Sequence, residues 1–467
     1  MKNNLLYIFF LAVLLPSCKK YLDVNDNPNA PTKAPINGLL AQSTYQTALN
    51  VFRAGSLTAN YVQYFASPNP GSSSDIFEPI DASGTWTNIY NTMTDINDME
   101  KLGADVGSTE HQGVAKILMS INLKLLHDLW GSVPYSEALN ATTLTPKFDD
   151  AKTLYNQSLA LLDEGIALLN QSNSTFKLSN SLDFVHKGNK AAWIKTANAL
   201  KARYLLLVTK QPSFSADNVL AAVANAYTSN ADDAQITAFN IRNPWAQVAV
   251  DNAALLLGGF LSTQYVNMMN GTTYGLMDPR LPLIATLTKF GDYRGTRNGV
   301  GRVGTGINQE ESYISTTGYF SSTTSPLIII SYAEIKFIEA EARFRKGTDM
   351  PGAYAAYLDG IRASMNKIGV SATNRDLYVN NPLVSVGAGS LTLAMIMREK
   401  YKALFLNPET WNDARRFNYA YKDFMLPVNA ALPSFIRRLD YPSVELTRNG
   451  ANVPTVGTLG DKLWWDQ

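Results

Sequence analysis

The sequence predicts an all-α fold built from paired helices, and two observations support this fold class. The first is a series of segments with the apolar spacing of amphipathic helices, without a comparable series of strands. The second is that small residues such as Ala340 and Ala353 stand where neighbouring helices would approach closely, as in tetratricopeptide-like hairpins. The predicted helices span residues 86–101, 111–130, 149–170, 188–210, 216–228, 331–346, 352–367, 391–406 and 409–423.

Residues 1–17 are predicted to be a lipoprotein signal peptide. Lys2 precedes an unbroken apolar stretch over residues 5–15, which is shorter than the roughly 20 residues of a membrane-spanning helix and suits a signal sequence. Residues 15–18, LPSC, resemble a bacterial lipobox, with proline where a small residue is usual. Cys18 is the single cysteine of the chain, so it has no disulfide partner. We therefore expect Cys18 to be lipidated and to hold the protein at a membrane.

Residues 18–38 are expected to form the lipidated, flexible tether, because they are dense in Asn and Pro and poor in apolar residues. A calcium loop is excluded here, since Pro28 stands where the loop needs its glycine and Ala34 where it needs its glutamate. No low-complexity or charged break follows, so residues 39–467 are expected to be one domain.

The charge balance excludes one class of partner. The chain has 40 Lys and Arg against 39 Asp and Glu, and the signal peptide contains one of these residues, Lys2. The mature protein is therefore formally neutral. Nucleic-acid-binding proteins usually have a strong basic excess, so no nucleic acid is expected as a partner.

Two long stretches, residues 65–85 and 262–326, do not follow the helical pattern and are rich in Gly, Ser, Thr, Asn and Tyr. Loops longer than about 12–15 residues are usually functional or disordered. These stretches keep aromatic residues, which disordered segments tend to lack. We therefore interpret them as ordered ligand-binding loops on the helical frame.

The sequence does not support a catalytic, cofactor-binding or metal-binding site. Residues 299–304, GVGRVG, match a dinucleotide-binding pattern, but neither the preceding strand nor the following helix is predicted. His111, His127 and His186 are the three histidines and lie on separate segments, which argues against a zinc site or a nucleophile with its base. The expectation is no catalytic residue, no metal and no cofactor.

A carboxylate pair for glycoside hydrolysis is not evident either. Glu339 and Glu341 lie two residues apart on a predicted helix, and therefore on different faces, so they do not flank one glycosidic bond. Trp411 and Arg415 stand at i and i+4, a spacing that indicates packing within a helix.

Six segments along the chain carry a family resemblance. The segments are WTNIYNTMTDIN from Trp86, GVAKILMSINLKLLHDLWGSVPYSEAL from Gly113, GNKAAWIKTANALKARYLLL from Gly188, SYAEIKFIEAEARFRKG from Ser331, REKYKALFLNPETWNDARRF from Arg398 and FIRRLDYPSVEL from Phe435. In their order and spacing, and together with the lipobox, they resemble the SusD-like (SusD/RagB) outer-membrane nutrient-binding lipoproteins of Bacteroidetes. The resemblance implies about four tetratricopeptide-like units and a lipid-anchored protein on the outer face of the outer membrane. It also implies a binding protein rather than an enzyme, which captures a glycan or other nutrient for a SusC-like TonB-dependent transporter.

A glycan site needs flat aromatic side chains with Asn, Asp or Arg at their edges, since sugars present apolar faces and rings of hydroxyls. The two irregular stretches and the residues before the second one supply both kinds. Trp86 is a poorer candidate because it begins a predicted helix and is expected to pack inside. The candidate ligand-binding residues are Asn69, Asp75, Phe77, Trp245, Tyr274, Tyr293, Arg294 and Tyr319.

The sequence is also compatible with functions other than glycan capture. Helical-hairpin proteins commonly bind other proteins, so a scaffold of an uptake complex without direct sugar binding is one of them. A non-glycan nutrient such as a peptide is another, and a glycoside hydrolase is the least supported. The basic residues within 289–302 would suit an anionic sugar or simply a hydrated loop, and a neutral glycan is the default expectation.

Overall fold

The computed structural model of the protein describes residues 35–140, 142–253, 258–304 and 309–467. The signal peptide, Cys18 and the tether up to residue 34 lie outside the described residues, as does the rejected calcium loop. Over the described residues the protein has fifteen α-helices and four short strands. The helices are α1 (Ile36–Thr58), α2 (Ser73–Ile76), α3 (Ser83–Asp105), α4 (Thr109–Trp130), α5 (Ala151–Leu169), α6 (Lys190–Leu207), α7 (Ala216–Ala224), α8 (Pro244–Ala253), α9 (Thr263–Met269), α10 (Tyr332–Lys346), α11 (Met350–Ile368), α12 (Ala372–Val379), α13 (Leu393–Ala403), α14 (Glu409–Arg416) and α15 (Ser443–Asn449).

Four helix pairs form the frame of the molecule. The pairs are α1 with α3, α4 with α5, α6 with α7, and α10 with α11. Each pair packs on the next, through α3 on α4, α5 on α6, and α7 on α10. The predicted all-α architecture of tetratricopeptide-like hairpins is thus confirmed.

Helices α4 and α5 approach each other closely at two glycines. A Cβ atom on Gly113 of α4 would lie 2.7 Å from the side chain of Leu169, and one on Gly165 of α5 would lie 2.9 Å from the carbonyl of Gly113. Further along, the Ser120 hydroxyl donates to the carbonyl of Ser158 at 2.6 Å. The two helices therefore run in opposite directions, at a distance that larger residues would prevent.

Helix α1 is not among the predicted helices, and it begins three residues before the expected domain boundary at residue 39. Its buried face carries polar residues, which removes the apolar pattern. Thr47 and Asn50 are paired inside the protein: the Asn50 amide donates to Thr92 at 3.0 Å and to Asn122 at 2.8 Å, and the Asn122 amide donates to Thr47 at 2.8 Å. Buried polar groups are stable when paired in this way.

The nine predicted helices are present, but one is much shorter than expected. Helix α14 ends at Arg416, where the prediction extends to residue 423. Asn418 and Tyr419 have φ of 53° and 55°, a left-handed conformation that ends a right-handed helix. The Tyr419 NH then donates to the carbonyl of Ala414 at 2.7 Å, which turns the chain back over the helix.

Four short strands, which were not predicted, connect the irregular stretches to the frame. They are β1 (Phe65–Ala66), β2 (Ala234–Ile236), β3 (Phe260–Leu261) and β4 (Leu327–Ile330). Strand β1 pairs with β3 and β2 pairs with β4, both antiparallel. The first pair joins the start of one irregular stretch to the start of the other. Across the described ranges, no helix combines the length and the hydropathy needed to cross a membrane.

Candidate functional site

The first irregular stretch is organised around Asp75, one of the predicted ligand-binding residues. Asp75 is buried and accepts hydrogen bonds from the Asn60 amide at 3.0 Å, the Asn298 amide at 2.6 Å and the Gly299 NH at 2.5 Å. Burial raises the pKa of Asp75, and these hydrogen bonds oppose the rise. Asp75 is thus a buried link between the two irregular stretches.

Phe77 and Asn69 lie in different surroundings. Phe77 is buried and packs on Tyr61 and Phe435, with ring centroids 6.0 and 6.2 Å apart. Asn69 is exposed and lies beside residues 299–304, where the Gly71 NH donates to the carbonyl of Gly299 at 3.2 Å. The GVGRVG segment therefore contacts the first irregular stretch, a contact that the sequence did not predict.

Trp245 and Tyr319, also predicted ligand-binding residues, pack against the protein. The Trp245 side chain is 4% exposed, and its ring lies 4.6 Å from Phe52 and 5.9 Å from Phe65. Its faces are therefore not open to a sugar. Tyr319 is half-buried, with its ring 5.1 Å from that of Phe320, and burial raises its pKa.

The middle of the second irregular stretch forms a tight turn, which we call the aromatic tip and define as residues 288–294. The Thr288 NH donates to the carbonyl of Asp292 at 2.8 Å, and the Gly291 NH donates to the carbonyl of Thr288 at 3.0 Å. Gly291 has φ of 78°, which a residue without Cβ adopts at no steric cost. The tip is therefore a hydrogen-bonded turn with a defined shape.

Two further hydrogen bonds attach the aromatic tip to residues 309–313. The Lys289 NH donates to the carbonyl of Gln309 at 2.8 Å, and the Ser312 NH donates to the carbonyl of Arg294 at 2.7 Å. Both flanks of the turn are thus held by neighbouring backbone, which orders its side chains before any ligand arrives.

Phe290 is presented at the end of this turn, with 53% of its side chain exposed. The Arg294 guanidinium lies 4.2 Å from the ring centroid, and the Lys289 ammonium lies 5.1 Å from it. Arg294 also donates to Asp292 through Nε and Nη2, each at 2.8 Å. Hydrogen bonds from Arg294 and Thr288 lower the pKa of Asp292. An aromatic ring and paired charges thus meet at one exposed surface.

Phe290 is absent from the predicted binding residues, although the sequence has a signal for it. Phe290 is followed by Gly291 and Asp292, and a Gly-Asp pair is a turn signal. An aromatic residue just before such a turn, in a polar loop, is a candidate for exposure.

Tyr293 and Tyr274 belong to neighbouring loops. Tyr293 is half-buried, its pKa is raised by burial, and its carbonyl accepts from the Asn270 amide at 3.3 Å. Tyr274 follows in the same turn as Asn270 and is also half-buried, with the Arg398 guanidinium 4.4 Å from its ring centroid. Burial and then Asp423 raise the pKa of Tyr274, while Arg398 opposes the rise. The predicted residues Tyr274, Tyr293 and Arg294 are thus on one connected set of loops.

A cleft of about 540 Å³ opens beside these loops, between residues 276–283 and α12. We call it the Leu377 cleft. Apolar side chains such as Leu377 and Met277 supply most of its lining, and Asn374 and Asn381 supply amides. Its volume falls in the range of roughly 300–1,000 Å³ that is common for small-molecule sites.

A buried ionic network holds one wall of the Leu377 cleft in place. Arg280 is buried and donates to Asp278 and Glu399, each at 2.6 Å, and to Ser364 at 3.2 Å. Burial by itself would lower the pKa of Arg280, but the two carboxylates raise it well above its usual value. The loop carrying Arg280 is therefore tied to α11 and α13.

Glu339 and Glu341 have different partners in the structure. Glu339 pairs with Lys336 at 2.7 Å, whereas Glu341 is buried against Arg416, so the two carboxylates face different surroundings as expected. Within the ranges that the structure describes, no group of three His, Cys, Asp or Glu residues is placed to hold a metal ion.

Comparison with known proteins identifies the family. A SusD-like family model, described as "starch-binding associating with outer membrane", matches residues 28–442. No curated protein matches the chain. Among solved structures, a SusD/RagB family protein from Bacteroides thetaiotaomicron is 23% identical, covers 93% of this chain and 99% of its own, and has a TM-score of 0.76.

Two further solved structures are similar. A chitin-binding SusD homologue from Flavobacterium johnsoniae is 21% identical over 92% of this chain and 98% of its own, with a TM-score of 0.78. A SusD homologue from Bacteroides uniformis is 22% identical over 92% of this chain and 99% of its own, with a TM-score of 0.75. At these identities the structures show a shared fold. Because the family model matches most of the sequence, this chain belongs to the SusD-like family.

Proposed function

We propose that this protein is a cell-surface lipoprotein that captures a glycan at the aromatic tip and delivers it to a SusC-like TonB-dependent transporter. The observation that carries the proposal is the 53% exposed Phe290 side chain beside Arg294 and Asp292. A sugar ring stacks its C–H face on an aromatic ring and directs its hydroxyls to charged groups at the edge. The starch-binding description of the family and the chitin binding of one solved relative support this ligand class.

Longer glycans have further contacts available along the connected loops. Tyr293 lies next to Arg294 in the chain, and its loop is hydrogen-bonded to the turn that carries Tyr274. The Tyr274 ring is backed by Arg398, which leaves a half-buried aromatic surface. The proposal therefore keeps Tyr274, Tyr293 and Arg294 as ligand-binding residues and adds Phe290. Asn69 and Tyr319 remain predictions.

Calorimetric titration with neutral oligosaccharides, such as maltohexaose and N-acetylchitohexaose, tests this proposal. We expect saturable binding of at least one of them, without release of reducing sugar on incubation. Absence of binding across a broad panel of glycans would contradict glycan capture, and release of sugar would indicate a hydrolase.

The membrane anchor is tested separately, by Cys18→Ala. We expect the variant to leave the membrane fraction and to unfold at the same temperature as the wild-type domain, because Cys18 precedes the described fold. A variant that still sediments with membranes would show that the anchor lies elsewhere.

Delivery is tested by gentle detergent extraction of the wild-type protein. We expect a TonB-dependent transporter to co-purify with it, in amounts that survive washing. Recovery of the lipoprotein alone would favour a solitary binder.

A second candidate function is favoured by one observation, the apolar lining of the Leu377 cleft. Leucine and methionine side chains with a few amides suit a ligand with apolar side chains, such as a short peptide, better than a sugar. Leu377→Asp should abolish binding of such a ligand and leave glycan affinity unchanged.

A further inference from the structure

A concave surface on α1 has the chemistry of a second ligand site. We call it the α1 cleft; it has a volume of about 340 Å³ and shares no lining residue with the Leu377 cleft. Gly38, Gln42 and Tyr45 line it from α1, at spacings of four and three residues that place them on one helix face. Phe184 and Phe239 line it from two separate loops. Three independent segments therefore bring aromatic residues to one place.

The three aromatic side chains of the α1 cleft lie at the boundary between the hydrophobic core and the surface. Tyr45, Phe184 and Phe239 are each partly buried and pack against the hydrophobic core. The rings of Tyr45 and Phe184 lie 6.1 Å apart at 72°, an edge-to-face contact. Both residues nevertheless remain partly exposed.

Phe184 is held in place by its neighbour Asp183. The buried Asp183 carboxylate accepts from the NH groups of Val185 and His186, each at 3.0 Å, and from the Trp193 indole at 2.7 Å. The position of Phe184 is thus determined by a satisfied buried carboxylate, which orders the ring in advance of binding.

The loop that carries Phe239 is fixed at both ends. It follows β2, which ends at Ile236 in its pairing with β4. It ends at the buried Asn243, whose amide donates to the carbonyl of Ser325 at 2.8 Å and whose NH donates to the carbonyl of Thr323 at 3.0 Å. Phe239 is therefore presented by an anchored loop.

The polar side-chain groups of the α1 cleft are the Tyr45 hydroxyl and the amides of Gln42, Gln46 and Asn240. The lining contains no charged side chain. The Gln46 carbonyl already accepts from Arg53 at 3.3 Å, which directs its NH₂ group to other acceptors. Aromatic surface with neutral donors and acceptors selects an uncharged ligand with an apolar face and hydroxyl edges.

We propose that the α1 cleft is a second carbohydrate site, which takes a unit of a neutral glycan between Tyr45, Phe184 and Phe239. The inference rests on the proposed function for the ligand class, but not on the aromatic tip. A protein with two such sites would bind long glycans more tightly than short ones, because the second contact becomes intramolecular.

The test uses full-length protein in which Phe290→Ala weakens the tip, with Phe239→Trp added as a local reporter. Maltohexaose and N-acetylchitohexaose are titrated separately while tryptophan emission is followed, with Phe290→Ala alone as the reference for the native tryptophans. We expect a saturable emission change that the reference lacks. No change with either sugar overturns the second site, whereas calorimetric binding by the wild-type protein decides the proposed function independently.

A second pair of variants, made in the Phe290→Ala background, measures how much the α1 cleft contributes to glycan affinity. Phe184→Ala should weaken the remaining binding about two- to twelve-fold, the equivalent of one stacked aromatic ring. Ile241→Ala is the matched control, since this side chain is 81% exposed on the Phe239 loop and does not line the cleft. Equal affinities of the two variants, with both folded by circular dichroism, would overturn the proposal.

Discussion

Arg416 of α14, which pairs with Glu341 of the helical frame, and Arg294 at the aromatic tip both form ion pairs through two donor nitrogens, in opposite surroundings. Arg416 donates to Glu341 through both terminal nitrogens at 2.5 Å, with side chains 1% and 0% exposed. Arg294 pairs with Asp292 at 2.8 Å, with side chains 50% and 46% exposed. The buried pair stays together because either charge would be costly to bury without its partner. The exposed pair is hydrated, so its two side chains are free to exchange partners.

The difference shows that residue type does not identify function in this protein. The segment from Arg398 is dense in charges and aromatic residues, yet all of its charged side chains except Arg398 are buried in the protein. Burial would raise the pKa of Glu341, but Arg416 lowers it to about 2, so the pair stays ionised. The aromatic tip contains residue types that are common in loops. These side chains are available to a ligand because they are exposed.

Removing the buried arginine should have the largest effect. Arg416→Ala removes one cationic partner from each of the buried carboxylates Glu341 and Asp413, which leaves them only Arg345 and Lys400, so we expect the free energy of unfolding to fall by about 3–5 kcal/mol. Urea unfolding measures it, with Arg294→Ala as the control that should remain close to wild type. Equal free energies of unfolding for Arg416→Ala and Arg294→Ala would contradict the claim that the buried ion pair stabilises the fold more than the exposed one.

Trp245→Ala sharpens the same distinction. Because the ring is packed between Phe52 and Phe65, we expect a loss of about 3–5 kcal/mol in unfolding free energy. The folded variant should bind glycan with unchanged affinity in a titration below its unfolding temperature. A stable variant with weakened binding would return Trp245 to the ligand site.

Acid should weaken the frame through its buried histidines. Burial, Lys124 and Arg415 lower the pKa of His127 to about 3, against the opposing effect of Asp128. Between pH 6.5 and the folded pKa the unfolded chain therefore binds the extra proton, and stability falls as pH falls.

The test compares wild type with His127→Gln by urea unfolding at pH 7 and pH 4.5. The variant should lose less stability on acidification, by up to about 1.4 kcal/mol per pH unit within that window. Parallel losses in the two proteins would contradict the assignment of a neutral buried His127.

The sequence predicted most of the frame because its helices follow the ordinary 3.6-residue pattern. It failed for α1, where Thr47 and Asn50 are buried as hydrogen-bonded polar residues. It also extended α14 too far, since the left-handed Asn418 and Tyr419 are not glycines and give no local signal.

The candidate site was less predictable, for a different physical reason. Composition located the polar aromatic loops, but exposure depends on contacts between residues far apart in the chain. Phe77 is covered by Phe435, and Trp245 is covered by Phe52. The exposure of Phe290, by contrast, is produced by a local turn. Of these three residues, Phe290 is therefore the one whose exposure a sequence can best predict.

The most direct test of glycan capture at the tip compares Phe290→Ala with Phe176→Ala in calorimetric titrations with the best-binding oligosaccharide. Phe176 is a matched control, because its side chain is 51% exposed and lies outside the loops of the site. A stacked ring contributes roughly 0.5–1.5 kcal/mol, so Phe290→Ala should weaken binding about two- to twelve-fold while Phe176→Ala binds like wild type. Unchanged affinity of a folded Phe290→Ala variant would contradict the placement of the site.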